Sequence, residues 1–153
     1  LGVHLLENRM EKAEIKGEAV AVTGLALPYQ YYYKGKKNSL TVRDMNHITG
    51  KAAETDFQIL LAHTPRYTRE YLAWGADLSL SGHYHGGMVR IPGFGGVISP
   101  DWRLFPKYCR GQFQKGGRTA VVSGGLGEHT IPLRIFNPRE LLVVTCVPKN
   151  KEV

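Results

Sequence analysis

Cysteine is almost absent from this sequence, and so is any long apolar run. Cys109 and Cys146 are the only two thiols. They lie far apart and neither belongs to a CxxC pair, which argues against cysteine-ligated zinc and leaves two free thiols as the expectation. No stretch approaches the roughly 18 consecutive apolar residues that cross a bilayer. The opening, LGVHLLENRM, has neither the basic start nor the apolar core of a leader peptide, and no initiator Met precedes it. A processed or excised piece of a longer protein is therefore expected. Acidic residues are also few: 13 Asp and Glu stand against 20 Lys and Arg, for a net charge of +7. No nucleic-acid-binding motif accompanies that excess. Its basic groups, YYYKGKK at residues 31–37 and Arg103, Lys107, Arg110, Lys115 and Arg118, sit among aromatics. That pattern suits a phosphate-bearing substrate or an anionic surface, and equally an ordinary solvated face.

What is present suits one globular domain over residues 1–153, with 42% hydrophobic and 22% charged residues. GVHLLEN reads as a short strand, with His4 as a core histidine inside it. EKAEIKGEAVAVTGLAL reads as two strands around a turn at Gly17. SLTVRDMNHITGKAAE carries a helix, with His47 at its surface. The run 57–62 is a buried strand that stops at His63, Thr64 and Pro65. RYTREYLAWG follows as a helix, with Tyr67, Tyr71 and Trp74 at helical spacing and Gly75 as its stop. ADLSLSGHYH is a strand running into a loop. Twelve of the 18 glycines fall between Gly82 and Gly127, so that region is expected as loops and hairpins, IPGFGGVISP and QKGGRTAVVSGGLG among them. RTAVVSG and RELLVVTCV read as two further strands. The expected class is mixed α/β with a strand-rich second half.

The chemistry concentrates at histidines. One strand ends at His63; a helix follows; a second strand ends just before His83. If the two strands run parallel, their carboxyl ends share one sheet edge, where open α/β sheets bind ligands. His83 and His85, spaced i, i+2, would point the same way on an extended segment. Gly82, Gly86 and Gly87 around them let the backbone turn tightly. Neutral imidazole is the commonest transition-metal ligand, so His63, His83 and His85 are the candidate metal ligands. His129, after SGGLGE, is a weaker candidate for the same pocket.

Three stretches, ILLAHTP, GADLSLSGHYHGGMVRIP and VVSGGLGEHTIPLRIFNPRELLVVT, together resemble the second half of the calcineurin-like metallophosphoesterases. They are most similar to the bacterial membrane-linked and exported phosphodiesterases, whose last motif reads GHxHGGQ; Met88 stands here in place of the Gln. The resemblance implies a β-sandwich flanked by helices and metal-dependent hydrolysis of phosphoesters, phosphodiesters foremost. It implies a site of two divalent ions, with His63 and His83 on one and His85 on the other. Histidine donors suit Mn, Fe, Zn, Ni or Co alike, and a two-metal site activates a hydroxide and neutralises phosphoryl charge.

The same comparison exposes gaps. The family's DxH pair, GDxxD block and GNH[DE] motif have no counterpart: there is no DxH, no GD, and the sole Asn-His pair, Asn46-His47, follows Met45. Gly124 replaces the arginine of SRGLG. The chain is therefore expected to be the C-terminal portion of a metallophosphoesterase catalytic domain. Alone, it is expected to be inactive and to cover its open sheet face by dimerising or swapping segments. Membrane association is expected of the full-length protein only, by the same resemblance. The alternative is a non-catalytic module in which the three histidines hold one metal ion.

Overall fold

The computed structural model describes residues 2–32, 39–54, 56–99, 103–127 and 133–147. Eight strands and two short helices run in the order β1 (Arg9–Ile15), β2 (Glu18–Leu25), α1 (Val42–Thr49), β3 (Phe57–Ala62), α2 (Thr68–Trp74), β4 (Leu78–Ser81), β5 (Val89–Ile91), β6 (Gly95–Ile98), β7 (Gly111–Lys115) and β8 (Arg118–Val122). The α/β, strand-rich class expected from the sequence is the one observed. Six strands form one sheet in the order β1-β2-β3-β4-β8-β7, and β5 and β6 form a separate pair. The middle of the large sheet, β2-β3-β4-β8, is parallel, and antiparallel hairpins close both sides through β1 and β7.

The alternation of β3 sets its two faces. Gln58, Leu60 and Ala62 are buried toward the helices, while Phe57 and Leu61 are 41% and 39% exposed. The helix side holds the core, built from Leu25, Tyr31, Leu40, Met45, Leu60, Ala62, Tyr67, Tyr71, Trp74 and Ala76. Three buried aromatics with polar tips find backbone acceptors, as burial favours. Tyr71 Oη donates to Thr64 O at 2.9 Å, Tyr67 Oη to Tyr31 O at 2.6 Å and Trp74 Nε1 to Gly50 O at 3.0 Å. The last two of these bonds tie the segment between β2 and β3 to the segment after β3. Helix α1 starts on a capping box: Thr41 Oγ1 accepts from Asp44 N, and Asp44 Oδ2 accepts from Thr41 N.

Gln58 is the one fully buried amide side chain at the centre of the sheet. Its Nε2 donates among Ala21 O, Thr23 Oγ1 and Ile59 O, and its Oε1 accepts from Ala53 N at 3.1 Å. Its backbone joins β3 to the start of β4: Gln58 N donates to Asp77 Oδ2 at 2.8 Å and Asp77 N donates to Gln58 O at 2.9 Å.

Two expected strands are not strands. Residues 2–6 have no regular structure, and His4 is an exposed side chain paired with Glu11 at 2.7 Å rather than a core histidine. The segment instead crosses the end of β2, pressing Leu6 so close to Gly24 that a Cβ there would lie 1.9 Å from Leu6 O. RELLVVTCV likewise forms no strand over its described residues 139–147. Exposure there alternates, Leu141 and Val143 at 78% and 87% against Leu142 and Val144 at 40% and 44%. A strand pattern is present, but no neighbouring ladder completes it. Cys109 is buried and Cys146 exposed, both as free thiols. His47 is at the surface, as read from the sequence. His129 and residues 33–38 of the tyrosine–lysine segment lie outside the described residues.

Two outcomes follow for stability. Replacing Gln58 by Leu leaves Ala53 N–H and Thr23 Oγ1 without their partner, so urea unfolding is expected to show a loss of about 2–3 kcal/mol. The Thr41 hydrogen bonds, side chain first, hold the Asp44 carboxyl below the usual carboxylate range. A lowered folded pKa adds stability above the unfolded value and loses it as pH falls through the folded one. Amide protection of α1 is therefore expected to drop on acidification below about pH 4, and Asp44→Asn to remove that dependence.

Candidate functional site

The carboxyl ends of the four parallel strands meet at one edge, and each contributes to the site. Beyond β2 come the 3₁₀ turn Tyr29–Tyr32 and its Tyr32 ring; beyond β3, His63; beyond β4, His83 to Gly87; beyond β8, Ser123 to Gly127. Backbone bonds continue the sheet pairing past the strand ends. Gly82 N donates to His63 O at 3.2 Å and Ser123 N to Ser81 O at 2.9 Å.

His63 and His83, 20 positions apart, are brought together: their ring centroids are 4.4 Å apart at 53°. Tyr32 stands over both, its ring 6.3 Å from His63 and 6.1 Å from His83. Arg66 fixes that wall, its Nη1 donating to Tyr31 O and Tyr32 O. Burial pushes the Tyr32 phenol above its usual range, so it remains protonated at neutral pH.

The His83–His85 pair departs from the extended geometry expected for an i, i+2 spacing. Both residues have left-handed backbones, φ 63° and 48°, at a cost of about 1–2 kcal/mol each for a non-glycine residue. The chain here is a double turn, in which Tyr84 N donates to Gly82 O and Gly87 N to Tyr84 O, both at 2.7 Å. Tyr84, between the histidines, is 2% exposed. Burying that tyrosine goes with folding the segment into a turn instead of an extended strand end. His83 faces His63, whereas His85 faces the strand-β8 loop, its Nδ1 3.2 Å from Gly127 O. In the tautomer that donates from Nδ1 to this carbonyl, Nε2 carries the lone pair a metal would take.

The tail contributes residues that sequence reading did not single out. Asn137 Nδ2 donates to His85 O and Gly87 O, both at 2.6 Å. Arg134 Nη2 donates to Gly124 O at 2.9 Å and to Gly127 O, and lies 3.5 Å from His85 Nδ1. Glu140 accepts from Gly124 N at 2.6 Å and forms an ion pair with Arg110. Arg110, read from charge alone as a substrate or surface contact, is committed to these internal partners. The available signal was FNPRE itself, a polar cluster inside an apolar tail, but nothing in its spacing tells that it folds back onto His85.

His63 and His83 suit a first-row divalent ion in kind, as adjacent imidazoles at a partly open edge. They are too few to hold one alone: among the described residues no group of three or more His, Cys, Asp or Glu side chains is disposed to hold a metal ion.

No protein-family model matches the chain, and no solved structure matches it. Curated proteins do. A protein of Helicobacter pylori (strain J99) named an uncharacterized metallophosphoesterase is 31% identical over 146 residues, 94% of this chain and 38% of its own length. The uncharacterized metallophosphoesterase YkuE of Bacillus subtilis is 35% identical over 94 residues, 61% of this chain and 32% of its own. One from Aquifex aeolicus is 36% identical over 95 residues, 61% of this chain and 34% of its own. The chain thus spans about a third of the length of the relatives it matches, all named as metallophosphoesterases. The fold class, the histidine-bearing strand ends and these relatives agree: the chain belongs to the calcineurin-like metallophosphoesterases.

Proposed function

We propose that this chain is the C-terminal portion of a metal-dependent phosphoester hydrolase, acting on phosphodiesters, and that it provides one wall of a two-metal site. His63 and His83 would serve one ion and His85 the other. The remaining ligands, carboxylates among them, would come from residues outside these 153. The observation that carries this reading is the approach of His63 and His83 at the ends of neighbouring parallel strands. When bound, such ions supply a hydroxide at neutral pH and neutralise charge on the phosphoryl oxygens. The residues of this chain orient the imidazoles and, through Tyr32, wall the edge at which a phosphoryl group would arrive.

We further propose that the sheet face opposite the helices is covered by the rest of the domain in the longer protein, and by a second copy when this chain stands alone. Phe57 and Leu61 on that face support the reading, being exposed beside Val22, Ile59, Leu80 and Val121.

Elemental analysis and hydrolysis of bis(p-nitrophenyl) phosphate in Mn²⁺ test the function. The 153-residue chain is expected to hold at most one ion per copy and to show no turnover. A chain extended to the length of its relatives is expected to turn over, and His83→Ala in it to lower kcat/KM by about 10²-fold or more. Unchanged turnover and metal content in that variant would remove His83 from the site. Two ions with turnover in the short chain would show that the short chain is complete. For the open face, light scattering is expected to show concentration-dependent dimers that Leu61→Lys converts to monomers; a monomer throughout would reject the covered-face reading.

A further inference from the structure

Asn137 is placed to set the position of a site histidine rather than merely to hold down the tail. It is 3% exposed, and its one amide nitrogen donates to the carbonyls of His85 and Gly87, on both sides of Gly86. Gly86 is shaped around it. Its φ is 76°, and a Cβ there would lie 2.5 Å from Asn137 Oδ1. The two bonds bracket the left-handed residues that aim the His85 ring at Gly127. Such backbone conformations persist only where their surroundings impose them.

Asn137 is itself held. Its Oδ1 accepts from Arg110 Nη1 at 3.2 Å, and the same nitrogen donates to Pro138 O at 3.2 Å. Arg110 Nε donates to Glu140 Oε2 at 2.8 Å, and Glu140 Oε1 accepts from Gly124 N in the loop that receives the His85 ring. A continuous path thus runs from the loop after β8, through Glu140, Arg110 and Asn137, to the turn after β4. It ties together the two loops between which His85 lies.

We infer that Asn137, oriented by the Arg110–Glu140 pair, is a positioning residue for His85: it fixes the turn so that Nδ1 meets Gly127 O and Nε2 is presented to a metal ion. The metal part of this inference rests on the proposed function; the ring orientation does not.

Ring-nitrogen NMR tests both parts, on the metal-free 153-residue chain for the ring orientation and during Zn²⁺ titration of the chain extended to the length of its relatives for the metal. In Asn137→Ala the His85 ring-nitrogen signals are expected to collapse to a mixed-tautomer pattern while those of His63 stay in place. Zn²⁺ affinity at His85 is expected to fall about tenfold or more, the usual effect of losing a residue that orients a ligand. Arg110→Lys, which spares the asparagine, is expected to shift the same signals less, and it decides the matter if Asn137→Ala does not fold. Unmoved His85 signals and a zinc affinity within about twofold of the parent, with only a lowered Tm, would overturn the inference. If Zn²⁺ moves the His63 signals but not those of His85 in the extended chain, the assignment of His85 as a ligand fails. The positioning role is then judged on the metal-free signals alone.

Discussion

The register between β3 and β4 is the constraint on which the rest of this structure depends. Leu61 opposes Leu80, so His63 falls opposite Gly82, whose N–H bonds to its carbonyl. The register is pinned at its other end by the reciprocal bonds between Gln58 and Asp77. A shift by one residue would carry His63 away from His83. It would also exchange the two faces of β3, turning Gln58 out of its acceptors and Phe57 into the core. The same pairing therefore builds the core and brings the imidazoles together, and the site cannot be displaced without loss of packing.

The two faces of the sheet have unequal roles. The helix side is sealed by aromatics whose polar tips bind the backbone of the segments after β2 and β3. The Tyr67 bond to Tyr31 O, with Arg66 on Tyr31 O and Tyr32 O, holds the turn that places Tyr32 beside the histidines, so the packing of the core reaches into the wall of the site. The opposite side is apolar in composition but only partly covered. A sheet with one sealed and one open apolar face suits a part of a larger layered domain, in keeping with a chain that spans about a third of its relatives.

Local signals in the sequence were sound wherever a single strand, turn or cap sufficed. The Gly17 hairpin, β3 at residues 57–62, the Gly75 stop and the Gly116–Gly117 hairpin each follow from residues within a few positions of one another. The parallel placement of His63 and His83 was also legible, because a strand–helix–strand order leaves few alternatives. What failed was whatever depended on a partner. GVHLLEN and RELLVVTCV carry strand-forming residues, but a strand exists only where a neighbour offers a ladder, and neither segment has one here. The extended His83–His85 geometry failed for a related reason. Spacing alone gives no account of the buried Tyr84, whose packing folds that segment into a turn. Asn137 was hidden because its partners are backbone carbonyls 50 and 52 positions away, which have no side-chain signature.

The glycine at position 124 illustrates how the site differs from the pattern it resembles. The family pattern places an arginine there, and its replacement suggested a lost positive charge. In this fold the position is already crowded: a Cβ on Gly124 would lie 3.2 Å from Glu140 Oε1 and 3.4 Å from Arg110 Cδ. Two guanidinium groups, those of Arg110 and Arg134, come to the same loop from elsewhere in the chain. Arg110 is paired with Glu140, while Arg134 donates to the carbonyls of Gly124 and Gly127 and keeps its positive charge beside His85. The cations here stabilise the loops that carry His85. The loop after β8 thus gathers two cations without an arginine of its own at position 124, and both brace the surroundings of His85.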